Sequence, residues 1–285
     1  DAEGIADLLQ HGLLKASYIP SKDQRELREL VRYRKSLIED KGRELNRLQK
    51  MLEGANIKLS GTVSEIDGKS ARKILDFITS GDIFTEEKYD EMYAKKEISH
   101  NLKASKEQIL ADLKGFLSPI QRRMMKELLT HLDELNEHIK NLDDEIGHFM
   151  KEEEVEASKA IQQIPGIGNT SAQAIISVSG TDMSRFPTDK HISKWAGLCP
   201  GNNGSARKRK SGRTTKGNKV LKTTLITCAH AAVKNKNSYF SAQYVRISAH
   251  RGKKRAIVAV AHSILIAIYH MLLEKVDFHD LGSGY

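Results

Sequence analysis

LLTHLDELNEHIKNLDDEIGHF, residues Leu128–Phe149, sets apolar side chains at Leu128, Leu132, Leu135, Ile139, Leu142, Ile146 and Phe149, at alternating steps of 4 and 3. Asp, Glu, Lys, Asn and His occupy most positions between them. A stripe with this heptad spacing belongs to an α-helix that must lay one side against another helix. An antiparallel partner in the same chain or a second subunit would satisfy it equally, and the second would make a homo-oligomer. The fold class that follows is mainly α, with a coiled-coil pair in the middle of the chain.

Upstream, a second amphipathic helix is predicted from about Lys22 to Glu53, with Leu27, Leu30, Leu37, Leu45, Leu48 and Leu52 on its apolar side. Its other face carries Arg25, Arg28, Arg32, Arg34, Lys35, Lys41, Arg43 and Arg47, diluted by Glu26, Glu29, Glu39, Asp40 and Glu44. Two readings stand open: a solvated face laced with i,i+4 ion pairs, or a nucleic-acid contact through Arg28, Arg32 and Arg34. Before it, Ile5, Leu8, Leu9 and Leu13 have helical spacing, ended by Pro20 and Ser21. Residues 54–120 read as short helices between Gly and Ser turns and offer no site.

Downstream, IQQIPGIGNTSAQAIISVSG (Ile161–Gly180) sets two apolar helical stretches on either side of Pro165-Gly166-Ile167-Gly168. This spacing suggests a helix-hairpin-helix, whose glycines let backbone N–H groups approach a DNA phosphate. An ordinary helical connection is the competing reading. A short helix with Trp195 in the core is expected over Lys190–Leu198. Further helices follow at Lys216–Lys234, around Tyr239–Ile247, and at Ala256–Leu273. His262 and His270 in the last helix lie too far apart to pair on a metal and read as core or surface residues.

Between Trp195 and the next helix the chain reads AGLCPGNNGSARKRKSGRTTKGNKVLK (Ala196–Lys222). Ser205 falls on a Gly/Asn-rich turn, directly ahead of Arg207, Lys208, Arg209, Lys210, Arg213, Lys216, Lys219 and Lys222. From Lys190 to Leu273 there are 17 Lys and Arg and no Asp or Glu, so a chain of net charge +9 joins a +17 segment to a remainder of −8. Such concentration of charge favours a nucleic-acid backbone, which rewards each neutralised phosphate by counterion release. A serine among these cations could be a nucleophile toward phosphorus or a solvated loop residue. Two cysteines, Cys199 and Cys228, give no disulfide framework or zinc pattern. No signal peptide and no 18-residue apolar run are evident, so a soluble, cytoplasmic protein without membrane contact is expected.

DAEGIADLL (Asp1–Leu9), RELRELVRYR (Arg25–Arg34), IPGIG (Ile164–Gly168), DMSRFP (Asp182–Pro187) and WAGLCPGNNGSARKRKSGRTTKGN (Trp195–Asn218) together resemble the insertion-sequence transposases that join a DEDD RuvC-like half to a serine-bearing half. The resemblance spans almost the whole chain, and its last motif is long and specific. It implies an enzyme of DNA transposition and recombination, guided by a noncoding RNA that pairs with element-end and target DNA. Ser205 matches the serine that attacks the phosphodiester, with Arg207, Lys208, Arg209, Lys210, Arg213, Lys216 and Lys219 about the DNA. Asp1 matches the last carboxylate of an acidic tetrad that holds Mg²⁺. Where the family often has Gly, this chain has Ala206 or Arg207. The resemblance further implies three segments: 1–20, a remnant of the α/β RuvC-like domain; 21–157, a helical linker and coiled coil; and 158–285, the transposase domain with the helix-hairpin-helix and the serine loop. With the other three carboxylates of the tetrad missing, the expectation is a piece that binds nucleic acid without completing recombination.

Overall fold

The computed structural model describes residues 2–14, 19–63, 65–99, 102, 104–201, 203–205, 208–211 and 213–284; over 202–212 only backbone is described, where anything is. Thirteen α-helices occur among these residues, and the chain is mainly α: α1 (Ala2–Gln10), α2 (Lys22–Gly54), α3 (Leu59–Thr62), α4 (Lys69–Ser80), α5 (Glu86–Ala94), α6 (Lys106–Asp112), α7 (Pro119–Phe149), α8 (Glu152–Ile161), α9 (Asn169–Ser179), α10 (Asp189–Trp195), α11 (Lys219–Ala232), α12 (Tyr239–Arg251) and α13 (Lys253–Glu274). A two-stranded hairpin, β1 (Asn203–Ser205) and β2 (Lys208–Ser211), stands between α10 and α11. The chain divides into two units, Asp1–Val31 with Ile146–Tyr285, and Arg32–Glu145.

The second unit holds most of α2 and α7 with α3–α6. Helix α7 begins where sequence signals converge. Pro119 takes the first helical position, Ser118 Oγ accepts from the Gln121 N–H (3.2 Å), and Gln121 Oε1 accepts from the Ser118 N–H (2.8 Å). That reciprocal pair satisfies two otherwise orphaned donors, and Pro loses no hydrogen bond there. Arg34 on α2 donates to Asp143 on α7 (2.5 Å), and His131 on α7 lies 3.5 Å from Glu44 on α2. As the α2 residue advances, its α7 partner recedes, so within this unit the two helices run antiparallel.

The α7 stripe is therefore answered within the chain and carries no argument for a second subunit. Its register differs slightly from expectation. Leu132, Leu135, Leu142 and Ile146 are buried as predicted, but Met125, Leu129 and Met150 are buried too, while Leu128 is half-buried and Phe149 exposed. A helix of 3.6 residues per turn drifts against a strict seven-residue repeat, so by the C-terminal end the buried position has moved on from Phe149 to Met150. Leu48, Leu52, Met125, Leu129 and Leu132 form the core of this unit with Leu59, Ile74, Leu75, Ile98 and Ile109 from the short helices.

The first unit is built round α13, which packs on α8, α10, α11 and α12. Ala256, Val260, Ala261, Ile264, Leu265 and Ile268 of α13 are fully buried beside Ile161, Ile175, Ile192, Leu221 and Leu225. Contrary to the reading of the bare sequence, an 18-residue window of α13 is long and apolar enough to cross a membrane, with a mean hydropathy of 2.1; half of that window is buried in the core of this unit. Leu27 and Val31 of α2 join this core with Ile146 and Met150. Arg28 donates to the Ser177 and Val178 carbonyls (2.8 and 2.6 Å), supplying partners for the last turn of α9. Helix α1 buries no residue: Ile5, Leu8 and Leu9 are all exposed.

Candidate nucleic-acid interface

The hairpin grows out of a junction between α10 and α11. Asn218 caps α11 by accepting from the Leu221 N–H (3.0 Å), and its own N–H donates to the Trp195 carbonyl (2.9 Å). Thr215 N–H then donates to the Cys199 carbonyl (3.0 Å), and Gly201 N–H to the Arg213 carbonyl (2.8 Å), with Pro200 bridged to Thr214. Lys222 of α11 donates to Thr214 Oγ1. Above this base β1 and β2 pair antiparallel, Asn203 with Ser211, Gly204 with Arg209 and Ser205 with Lys208, with a bulge between Asn203 and Gly204.

Three glycines of the motif have a steric reason to be glycine. A Cβ on Gly217 would press on the backbone of Ala196 and Gly197, one on Gly201 would come within 2.6 Å of the Arg213 carbonyl, and one on Gly197, at φ +73°, within 2.9 Å of the Thr215 carbonyl. Backbones that close exclude any side chain. Ser205 thus ends β1, next to the reversal of the chain, where a Gly/Asn turn was expected; residues 206 and 207 lie outside the described residues. Strand pairing starts at Asn203 because the chain before it is already zipped to Arg213 and Thr215.

The structure distributes the other predicted residues unevenly. Lys208, Arg209 and Lys210 lie on β2, Arg213 and Lys216 on the exposed segment leaving the hairpin, and Lys219 opens α11. Arg207 and Asp1 lie outside the described residues. Arg34 has to be removed from the nucleic-acid set: its side chain is 1% exposed and held by Asp143. Arg28 is likewise engaged at the end of α9, whereas Arg32 is exposed. Trp195 is a second correction, being 37% exposed and packed on Phe186 (centroids 5.4 Å apart) instead of lying in the core.

In the α8–α9 connection the three predicted residues differ in kind. Gly166 adopts φ +88° and its Cα faces the backbone of Cys228 and Ala232 on α11, so it is glycine for packing. Ile167 is buried and its N–H donates to the Ile164 carbonyl (3.1 Å), which removes that amide from any phosphate. Gly168 opens on free space and, as the N-cap of α9, makes no side-chain cap hydrogen bond.

The titratable groups around these elements are subdued. Burial pushes the thiols of Cys199 and Cys228 up, so neither is a ready thiolate. Burial pushes His262 down, with Asp189 opposing it. Among the described residues no group of three or more His, Cys, Asp or Glu is arranged to hold a metal ion.

Between α10 and the segment Thr215–Asn218 the surface opens into a cleft of about 510 Å³, lined by His191, Lys194, Trp195, Thr215 and Lys216. Sequence reasoning missed it. The available signal was the chain's single tryptophan next to a lysine inside the acid-free segment.

Comparison with known proteins bears on both ends of the chain. The model of the transposase IS116/IS110/IS902 family matches residues 158–245, and the DEDD transposase model of the IS110 type matches residues 1–57. No curated protein matches the chain. The first match contains the α8–α9 connection, α10, the hairpin and α11, and the second contains α1 and α2. The α8–α9 connection and the glycine-locked β-hairpin thus fall within one matched stretch, and the chain belongs to the IS110/IS116/IS902 family of DNA transposases.

Proposed function

We propose that the β-hairpin presents Ser205 as the nucleophile of DNA strand transfer. The observation that carries this reading is its position: Ser205 ends β1 opposite Lys208, beside the chain reversal of a hairpin whose base is fixed by glycine-to-backbone contacts. Attack by Oγ forms an Oγ–P bond and breaks one P–O ester bond of the backbone; the hydroxyl proton ends on the departing strand's oxygen. Rejoining reverses those steps with the hydroxyl of a different strand. The cations from Lys208 to Lys219 hold flanking phosphates and stabilise the charge that builds on phosphorus oxygens.

In the same reading, the open backbone at Gly168, ahead of α9, lets a DNA phosphate approach without sequence being read. A noncoding guide RNA would supply sequence recognition, with Arg32 on α2 as a contact. Mg²⁺ belongs to the acidic half of the site, of which Asp1 is the matched carboxylate; homo-oligomers acting on element ends and target DNA in the cytoplasm complete the picture.

The test is a covalent adduct. The protein is incubated with element-end DNA, candidate RNA and Mg²⁺ and resolved on a denaturing gel beside Ser205→Ala. A protein–DNA band lost in the variant supports the nucleophile. DNA binding with no adduct in either protein would favour the second reading, a non-enzymatic helix-hairpin-helix DNA binder.

A further inference from the structure

The cleft between α10 and Thr215–Asn218 is not accounted for by a serine nucleophile or by a phosphate at Gly168. Its walls have three properties that belong together. Trp195, packed on Phe186 and 37% exposed, offers an aromatic surface to the cleft. Lys194 and Lys216 flank it, and neither makes an ion pair among the described residues. Thr215 Oγ1, at the edge of the cleft, is buried and has no hydrogen-bond partner. A buried hydroxyl without a partner is uncommon and points to a group that is missing from its surroundings.

An aromatic face between two cations suits a nucleotide, with the base on the ring and the phosphate between the ammonium groups. The volume, about 510 Å³, falls within the range of about 300–1,000 Å³ typical of small-ligand clefts. A base inside a duplex has both faces covered by its neighbours, so only an unstacked one can use the tryptophan. The segment that lines the cleft continues directly into the hairpin. Thr215, whose N–H donates to the Cys199 carbonyl, belongs to the base of the hairpin whose β1 ends at Ser205. One DNA strand can therefore engage the hairpin and the cleft together.

We propose that this cleft captures one unstacked nucleotide of single-stranded DNA beside the cleavage position, with Trp195 as the stacking platform and Lys194 and Lys216 as phosphate contacts. The inference rests on the reading of this unit as DNA-binding. It explains why the exposed aromatic stands in an otherwise cationic surface, and it gives the strand that is cut a second point of attachment.

Trp195 is the chain's single tryptophan, so its emission reports on this site alone. The full chain is titrated with an oligo-dT strand, the corresponding duplex and an oligo-rU strand, while anisotropy of a labelled strand records total binding. The expected result is quenching by oligo-dT that fades with added salt, little quenching by duplex, and, by anisotropy, weaker binding of oligo-dT to Trp195→Ala. Lys194→Ala combined with Lys216→Ala should weaken quenching by about tenfold with no change in melting temperature. Oligo-dT that binds by anisotropy without altering emission would overturn the cleft and leave DNA binding standing. Quenching by oligo-rU alone would overturn the DNA assignment. No DNA binding by either signal would overturn the cleft and the proposed function together.

Discussion

Gly217 lies against the backbone of Gly197, so close that a methyl group on Gly217 would overlap the Gly197 amide nitrogen and come within 2.6 Å of the Ala196 carbonyl carbon. The contact fixes where the chain enters and leaves the hairpin. Gly217→Ala should cost about 2–3 kcal/mol, the range for overpacking a close contact. Gly147→Ala is the control: Gly147 lies within α7 with nothing within 4 Å, so alanine there should be neutral or slightly stabilising. Urea unfolding of the two variants measures the difference, and equal midpoints would reject the backbone contact.

Gly166 and Gly168 should respond oppositely to alanine. Gly166→Ala meets α11 backbone at φ +88° and should destabilise by about 2 kcal/mol or more. Gly168→Ala enters open space at φ −95° and should leave the melting temperature within a degree or two of the parent. If a phosphate approaches the open backbone at Gly168, the same variant weakens duplex binding. Binding unchanged in a stable Gly168→Ala protein would count against that contact.

Charges already engaged inside the fold should be separable from those facing outward by their salt dependence. Lys216→Ala and Lys219→Ala should each reduce the slope of log affinity against log salt by about 1. Arg34→Met should leave the slope alone, because that guanidinium is buried on Asp143. Asp143→Ala should instead destabilise by about 2 kcal/mol. That is below the usual cost of breaking a buried pair, because Asp143 is 38% exposed and water screens part of the interaction. A change of slope in Arg34→Met would contradict the burial.

His262 should give the molecule a sensitivity to mild acid. Its folded pKa is depressed below the ordinary 6.5 by burial. The unfolded chain therefore takes up a proton first as pH falls. Stability is complete above pH 6.5 and declines as pH drops from there through the folded value. His262→Gln should flatten melting temperature against pH over that interval, and an unaltered profile would assign the loss to other groups.

Much of this architecture could be read from residue spacing, since Leu27–Leu52 and Leu132–Ile146 are local patterns and a helix is a local structure. Lys22–Glu53 was predicted and Lys22–Gly54 is found. What failed depended on distant partners. Nothing local separates Arg34 from Arg32; the difference is Asp143, more than a hundred positions away. Trp195 was expected in the core because tryptophan usually is, and only the segment returning at Thr215 makes it the wall of a cleft. The hairpin was opaque for another reason. Gly, Asn, Lys, Arg and Ser have little strand preference, and their pairing is imposed by the ladder from Cys199–Gly201 to Arg213–Thr215.

The discontinuity of the first unit, Asp1–Val31 with Ile146–Tyr285, orders the events of synthesis. Leu27 and Val31 leave the ribosome early, yet their core partners run from Ile146 to Met271. The intervening unit is translated whole in the meantime and can bury Leu48, Ile74 and Met125 at once. The basic hairpin, whose α10–α11 base packs on α13, can become rigid only after α13 has been made. A nascent chain therefore carries its cationic segment before it has a scaffold for it, and a helix made later turns a sticky polycation into a shaped surface.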